Sequence, residues 1–194
     1  MSKENVSSVY LETERLILRR LTEDDVDNLL ELDSDPEVMR YLNDGRTHTR
    51  DDIASKVLPR YLEHYARHGE RYGFWAAIDK ASGLFIGWFH FRPYRAAPAE
   101  IELGYRLKQS EWGKHYATEG SRGLIRKGFT EFGIEVVVAD TLAGNTRSLQ
   151  VMEALGMHRE GEFVLDADEF PNWDEDQRRG VKYRLTKSEW ESSR

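Results

Sequence analysis

Trp112-Gly113-Lys114-His115-Tyr116-Ala117-Thr118-Glu119 is the stretch from which the rest of the chain can be read. It follows an apolar run, Ile101 to Leu107, that reads as a strand. It leads into a segment of helical spacing, Ala117 to Phe132, with Ser121, Leu124, Ile125 and Phe132 on the expected inward face. A glycine-containing turn that opens a helix leaves the first-turn N–H groups without intrahelical acceptors, and such groups suit phosphate oxygens. Gly120, Gly123 and Gly128 lie within the helix. Each costs it about 1 kcal/mol against alanine. Close packing against a sheet or a ligand explains them better than propensity.

Working outward toward the C-terminus, Val136 to Thr141 is a β-branched strand. Asn145 is an N-cap for a helix over Leu149, Met152 and Leu155, and Gly156 is its natural C′ residue. Strands are expected near Glu162 to Leu165 and Gly180 to Leu185, with an acidic loop, Asp166 to Asp176, between them. Toward the N-terminus, Phe74 to Ile78 and Leu84 to Phe91 flank turn residues and form a hairpin. Ile53, Val57, Tyr61 and Tyr65 make a helical stripe in which Pro59 predicts a kink. Thr22 with Asp25 marks an earlier helix start, after a first strand within Leu11 to Leu21. The order β-αα-ββ-β-α-β-α-ββ predicts a mixed sheet with helices, of class α/β (α+β), in a single domain spanning residues 1–194.

Composition narrows the function. The chain has 194 residues, 39% apolar and 32% charged, with a net charge of −7. That balance disfavours nucleic-acid binding by a broad basic surface. The absence of cysteine removes disulfides, thiolate metal sites and a cysteine nucleophile together. No apolar run is long enough for a membrane span, so a cytoplasmic protein without a membrane partner is expected. His64 and His68 stand four apart on a helix, but no third ligand accompanies them, so no metal site is expected.

Four segments, in this order, resemble the GNAT superfamily of N-acetyltransferases, and within it the branch of ribosomal-protein N-terminal acetyltransferases (RimJ/RimL-type). They are Leu11 to Arg19, Glu102-Leu103-Gly104-Tyr105, Trp112 to Glu119, and Asn145-Thr146-Arg147-Ser148 leading to Leu155-Gly156-Met157. The resemblance covers nearly the whole chain and implies a GNAT-like domain with a central, mostly antiparallel sheet. It implies acetyl-CoA as co-substrate and an amine as acceptor. The amides from Trp112 through Gly113, Lys114, His115, Tyr116 and Ala117 to Thr118 would hold the pyrophosphate. The strand ending at Leu107 would pair with the pantetheine arm through its backbone, and Asn145 would contact the cofactor region as well as cap its helix. Many relatives dimerise, so a homodimer is a candidate assembly.

The chain departs from the family pattern at two positions. His115 stands where glycine is usual, at a place where positive φ and close approach to phosphate are needed; histidine tolerates the left-handed region better than most residues. Met152 stands where many members carry a proton-donating tyrosine. Ser148 is then the candidate donor to the departing thiolate, or equally a helix-start residue satisfying local backbone groups. Glu102 is the candidate base, acting through a water. A carboxylate between Ile101 and Leu103 in an apolar strand is expected to have a raised pKa, whereas strand alternation alone makes it an outward residue beside Glu100. The acceptor is a protein N-terminus or a small amine such as an amino acid, polyamine or aminoglycoside. The competing reading is a module that holds acyl-CoA without turnover.

Overall fold

Apolar residues two apart along the strands divide this protein into two cores, one on each face of a sheet. The computed structural model describes residues 9–42 and 46–193. Its strands are β1 (Val9–Glu12), β2 (Leu16–Arg20), β3 (Gly73–Asp79), β4 (Phe85–Pro93), β5 (Ile101–Leu107), β6 (Val136–Leu142), β7 (His158–Val164) and β8 (Arg179–Thr186). Among the described residues these eight strands form one sheet in the order β1-β2-β3-β4-β5-β6-β8-β7. Pairing is antiparallel except between β5 and β6. The expected mixed, mostly antiparallel sheet is therefore present.

On one face lie α1 (Val26–Asp33), α2 (Pro36–Met39), α3 (Arg50–Asp52) and α4 (Leu58–His68). Leu29, Leu32, Ile53, Val57 and Tyr61 pack there against Phe74, Ala76 and Trp88. On the other face lie α5 (Tyr116–Glu131) and α6 (Thr146–Ala154), whose Leu124, Ile125, Phe129 and Met152 meet Trp75, Phe89, Phe91 and Leu103. Phe74 and Trp75 are neighbours in sequence and belong to opposite cores, as a period of two requires.

Several boundaries differ from the sequence reading. The first strand is two strands, because Thr13 N–H reaches back to Leu16 C=O (3.0 Å) and closes a turn that reverses the chain. The stripe from Ile53 to Tyr65 is helical throughout, and the disturbance lies ahead of Pro59: Ile53–Val57 is a π-helical stretch that runs directly into α4, and the proline is accommodated just past that junction. Strand β7 begins at His158, earlier than expected. A short helix α7 (Glu175–Arg178) occupies the end of the acidic loop, and α8 (Lys187–Ser192) follows β8. On α5, Ser121, Leu124 and Ile125 are buried as expected, with Phe129 rather than Phe132 completing the inward face. The glycines of α5 mark close approach to the sheet: a Cβ at Gly120 would lie 2.4 Å from Phe89 Cζ, and one at Gly128 2.7 Å from Phe91 Cζ.

The feature that positions the site is a separation inside the sheet. β5 and β6 pair only at Ile101–Val137 and Glu102–Val138. Beyond Glu102, β5 stays with β4 as far as Leu107–Gly87, while β6 stays with β8 as far as Leu142–Gly180. The two parallel strands therefore diverge and leave an opening bordered by both.

Candidate active site

The N-terminus of α5 follows β5 after a short loop and keeps its first donors unspent. His115 precedes the helix at φ 64°, ψ 13°, the single non-glycine residue with positive φ among the described residues, and Gly113 also has positive φ (76°). The expectation that the usual glycine position needs left-handed backbone thus holds, with histidine filling it. The first intrahelical bond runs from Glu119 N–H to His115 C=O (3.0 Å). The N–H groups of Tyr116, Ala117 and Thr118 stand ahead of that ladder, and no side chain caps them.

The turn after β1 holds this end of the helix in place. Glu119 accepts from the Thr13 hydroxyl (2.6 Å), the Arg15 N–H (2.8 Å) and Arg15 Nε (2.7 Å). Burial alone would raise the Glu119 pKa, but these donors hold it below the ordinary carboxylate range. Arg15 also donates to Lys114 C=O (3.0 Å) and stacks over the Tyr116 ring, whose hydroxyl donates to Asp79 (3.0 Å). The Lys114 ammonium is engaged by Glu111 at 3.0 Å.

Trp112 plays a different part from the one expected of it. Its N–H is committed to Gln109 C=O (3.1 Å), so it is not among the free amides. Its indole Nε1 donates to Leu107 C=O (3.0 Å), tying the loop to the end of β5, and the Arg147 guanidinium lies 4.5 Å over its ring.

The borders of the opening follow from ladder alternation. Lys108 N–H bonds Ile86 C=O (2.9 Å), so the even-numbered residues of β5 face β4 with their backbone groups. Leu103, Tyr105 and Leu107 turn theirs the other way, toward the diverging β6. Of these, Leu107 C=O is taken by Trp112, and Tyr105 lies past the last pairing with β6. On the opposite border, Ala143 N–H bonds Arg179 C=O (2.8 Å), which turns the backbone of Asp140 and Leu142 toward β5.

A pair of hydroxyls spans the opening. The Tyr105 phenol donates to Ser148 Oγ at 3.3 Å. Ser148 sits in the first turn of α6, where its N–H bonds the Asn145 side chain (3.3 Å), so Asn145 is the N-cap that its sequence position indicated. Burial pushes the Tyr105 phenol up, which keeps it protonated at neutral pH. Met152, on the same helix, is a buried core residue.

Glu102 lies on the sheet's other face, toward α1–α4. Its carboxylate meets Arg92 Nη2 at 2.8 Å and His90 Nε2 at 3.5 Å. Burial acts to raise its pKa, but the neighbouring His90 imidazole and Arg92 guanidinium outweigh burial and hold it below the ordinary range. The expected upward shift is therefore overturned. The residues responsible are its cross-strand neighbours: Arg92 pairs with Glu102, and His90 with Gly104, whose missing side chain makes room for the imidazole. Sequence reasoning passed over Tyr105, His90 and Arg92. Strand alternation counted back from the turn between β4 and β5 was the one signal that could have placed Arg92 opposite Glu102 and His90 on the same face beside it.

Free amides at a helix start, backbone groups turned into a gap between parallel strands, and a hydroxyl pair across that gap fit an elongated ligand with a phosphate at one end and a reactive group at the other. Comparison with known proteins gives the same class. The family model described as "Acetyltransferase (GNAT) domain" matches residues 15–158. The FsC-acetyl coenzyme A-N(2)-transacetylase of Aspergillus fumigatus is 30% identical over 187 residues, covering 93% of this chain and 77% of that protein. Among solved structures, a ribosomal-protein-S5-alanine acetyltransferase from Vibrio fischeri shares the fold with a TM-score of 0.70 at 18% identity, covering 92% of this chain and 97% of its own. A spermidine N-acetyltransferase from Vibrio cholerae, solved with CoA and spermine, does so with a TM-score of 0.71 at 16% identity, covering 91% and 98%.

Proposed function

The chain belongs to the GNAT acetyltransferase family, an acetyl-CoA-dependent class, and from that premise we propose that it transfers the acetyl group to a primary amine by direct attack on the thioester. The observation that carries the reading is that Trp112, in the loop before the free α5 amides, bonds the end of β5 and lies under Arg147, the neighbour of Ser148 in the first turn of α6.

In this reading the N–H groups of Tyr116, Ala117 and Thr118 hold the pyrophosphate, and His115 supplies the left-handed turn that aims them. Gly113 and Lys114 shape the loop, while Trp112 and Leu107 lock it to the strand. The Tyr105 backbone pairs with the pantetheine arm, and Asn145 fixes the helix that presents Ser148. Glu102, kept anionic by Arg92, takes the first proton from the acceptor ammonium through His90 or a water. The amine nitrogen then bonds the acetyl carbon and the carbon–sulfur bond breaks. The second nitrogen proton passes to Ser148 as Ser148, backed by Tyr105, protonates the departing sulfur, and Glu102 gives up the first to solvent. The products are an amide, a thiol and one released proton.

Both departures that favoured a binding-only module have counterparts here. His115 adopts the backbone that glycine would, and Tyr105 brings a phenol to the region from β5 in place of one at Met152. The test is thiol release from acetyl-CoA across a panel of amines: amino acids, amino-acid amides, polyamines and short peptides with free N-termini. Thiol release that depends on an amine supports the reading. Tight acetyl-CoA binding with no release for any amine would leave the binding module instead.

A further inference from the structure

On the face of the sheet that carries Glu102, the space between α4 and β5 opens into a cavity of about 390 Å³ whose lining includes His48, Asp52, Lys56, Arg60, Tyr61 and Arg106. This volume lies in the range of small-molecule sites. Its β5 wall is Arg106. By alternation Arg106 shares a face with Gly104 and Glu102, and it follows Tyr105 directly in sequence. A molecule in the cavity therefore lies against β5 at the level where the hydroxyl pair stands on the strand's other side.

The lining is rich in donors and cations, in a chain with 28 Lys and Arg against 35 Asp and Glu. Arg106 is neutralised by Asp33, which is fully buried and also lies 3.2 Å from His48 Nδ1. Lys56 is paired with Asp52 at 2.7 Å. Arg60 differs. Among the described residues it pairs with no carboxylate: Asp52 is engaged by Lys56 and Glu63 by Arg67. Its guanidinium lies 5.7 Å from the ring centroid of Tyr61. Burial pushes the Tyr61 phenol up, so it too is a donor at neutral pH. One uncompensated guanidinium beside a phenol donor complements an anion and repels a polycation.

We propose that this cavity binds the acceptor through an anionic group, carboxylate or phosphate, so that the substrate class is a small amine that also carries a negative charge. This rests on the acetyl-transfer reading above. The bond changes are those already given; the anionic group stays unreacted and is held by Arg60, with Tyr61 as second donor.

The test uses matched amines with the wild-type protein and Arg60→Gln: an amino acid against its carboxamide, and an amino-alkyl phosphate against the corresponding amino alcohol. Wild type should favour the anionic member by about tenfold in kcat/KM, the worth of one charge-assisted hydrogen bond, and in Arg60→Gln the ratio should fall toward one. The two pairs distinguish carboxylate from phosphate. Equal rates for both members, preference for a polyamine, or a ratio unchanged by Arg60→Gln would overturn the proposal. If no amine releases thiol, the acetyl-transfer reading fails, and the cavity is then read by calorimetry with an N-acetyl amino acid and its amide titrated into the protein saturated with CoA. Salt-sensitive binding of the acid alone, lost in Arg60→Gln, upholds the anion site; no such binding overturns it.

Discussion

Replacing Gly120 by alanine sets helix propensity against packing, and the distances decide the sign. Propensity favours alanine by about 1 kcal/mol. Against it, the new methyl carbon would lie 2.4 Å from Phe89 Cζ and 2.8 Å from Cε1 and Cε2. Phe89 is fully buried, so its ring has no solvent to move into. Reaching ordinary van der Waals contact requires α5 or the ring to retreat by about 1 Å, and overpacking of this kind costs about 1–3 kcal/mol. The variant is therefore expected to be less stable by about 1 kcal/mol, where a helix-propensity scale gives the opposite sign. The same retreat reaches the Tyr116, Ala117 and Thr118 amides one turn earlier in α5. Losing the alignment of one charge-assisted hydrogen bond there should weaken acetyl-CoA binding by about tenfold. Urea unfolding reads the first effect and titration calorimetry the second. A variant with a higher urea midpoint and unchanged acetyl-CoA affinity would refute both the packing account and the placement of the phosphate site.

Four further perturbations bear on the chemistry. Glu102→Gln should lower turnover by at least about tenfold while leaving acetyl-CoA affinity within twofold; wild-type turnover would remove Glu102 as the base. The carboxylate's depressed pKa means that the anion persists as pH falls through the ordinary carboxylate range and is lost only below it, so the acid limb of kcat should lie low; Arg92→Leu should move that limb upward, and an unmoved limb would detach Arg92 from the base. Ser148→Ala should be mild if water replaces the hydroxyl, with Tyr105→Phe in the same background costing more than either change alone. His115→Gly keeps the left-handed turn and should leave the acetyl-CoA dissociation constant unchanged within about threefold if backbone amides do the binding; a larger loss would show that the imidazole itself contacts phosphate.

The readings that held depended on local chemistry. The positive φ at residue 115, the Asn145 cap, and the C′ role of Gly156 (φ 78°) are each set by the residue and its immediate neighbours. So is the hairpin around Asp79 to Gly83, where the Ser82 hydroxyl donates to Asp79. What stayed hidden depends on register between distant segments. The Glu102 environment is set by Arg92 across a loop, and no pattern within Ile101 to Leu107 encodes that pairing. Tyr105 was legible as part of a motif, but its partner Ser148 lies 43 positions away on an element reached through α5 and β6. The division of the first strand failed for a related reason: the Thr13 and Arg15 turn is stabilised by Glu119, more than a hundred residues later.

The opening between β5 and β6 also has a mechanical meaning. It divides the sheet into β1–β5 and β6–β8, joined along the seam by Ile101–Val137 and Glu102–Val138. A ligand arm pairing with the Tyr105 backbone would lengthen that seam and so act as part of the scaffold. Stabilisation by such a ligand grows as RT ln(1 + [L]/Kd), about 2.7 kcal/mol at a hundredfold excess over Kd. The supply of the acetyl donor would then govern how long the folded enzyme persists as well as how fast it works.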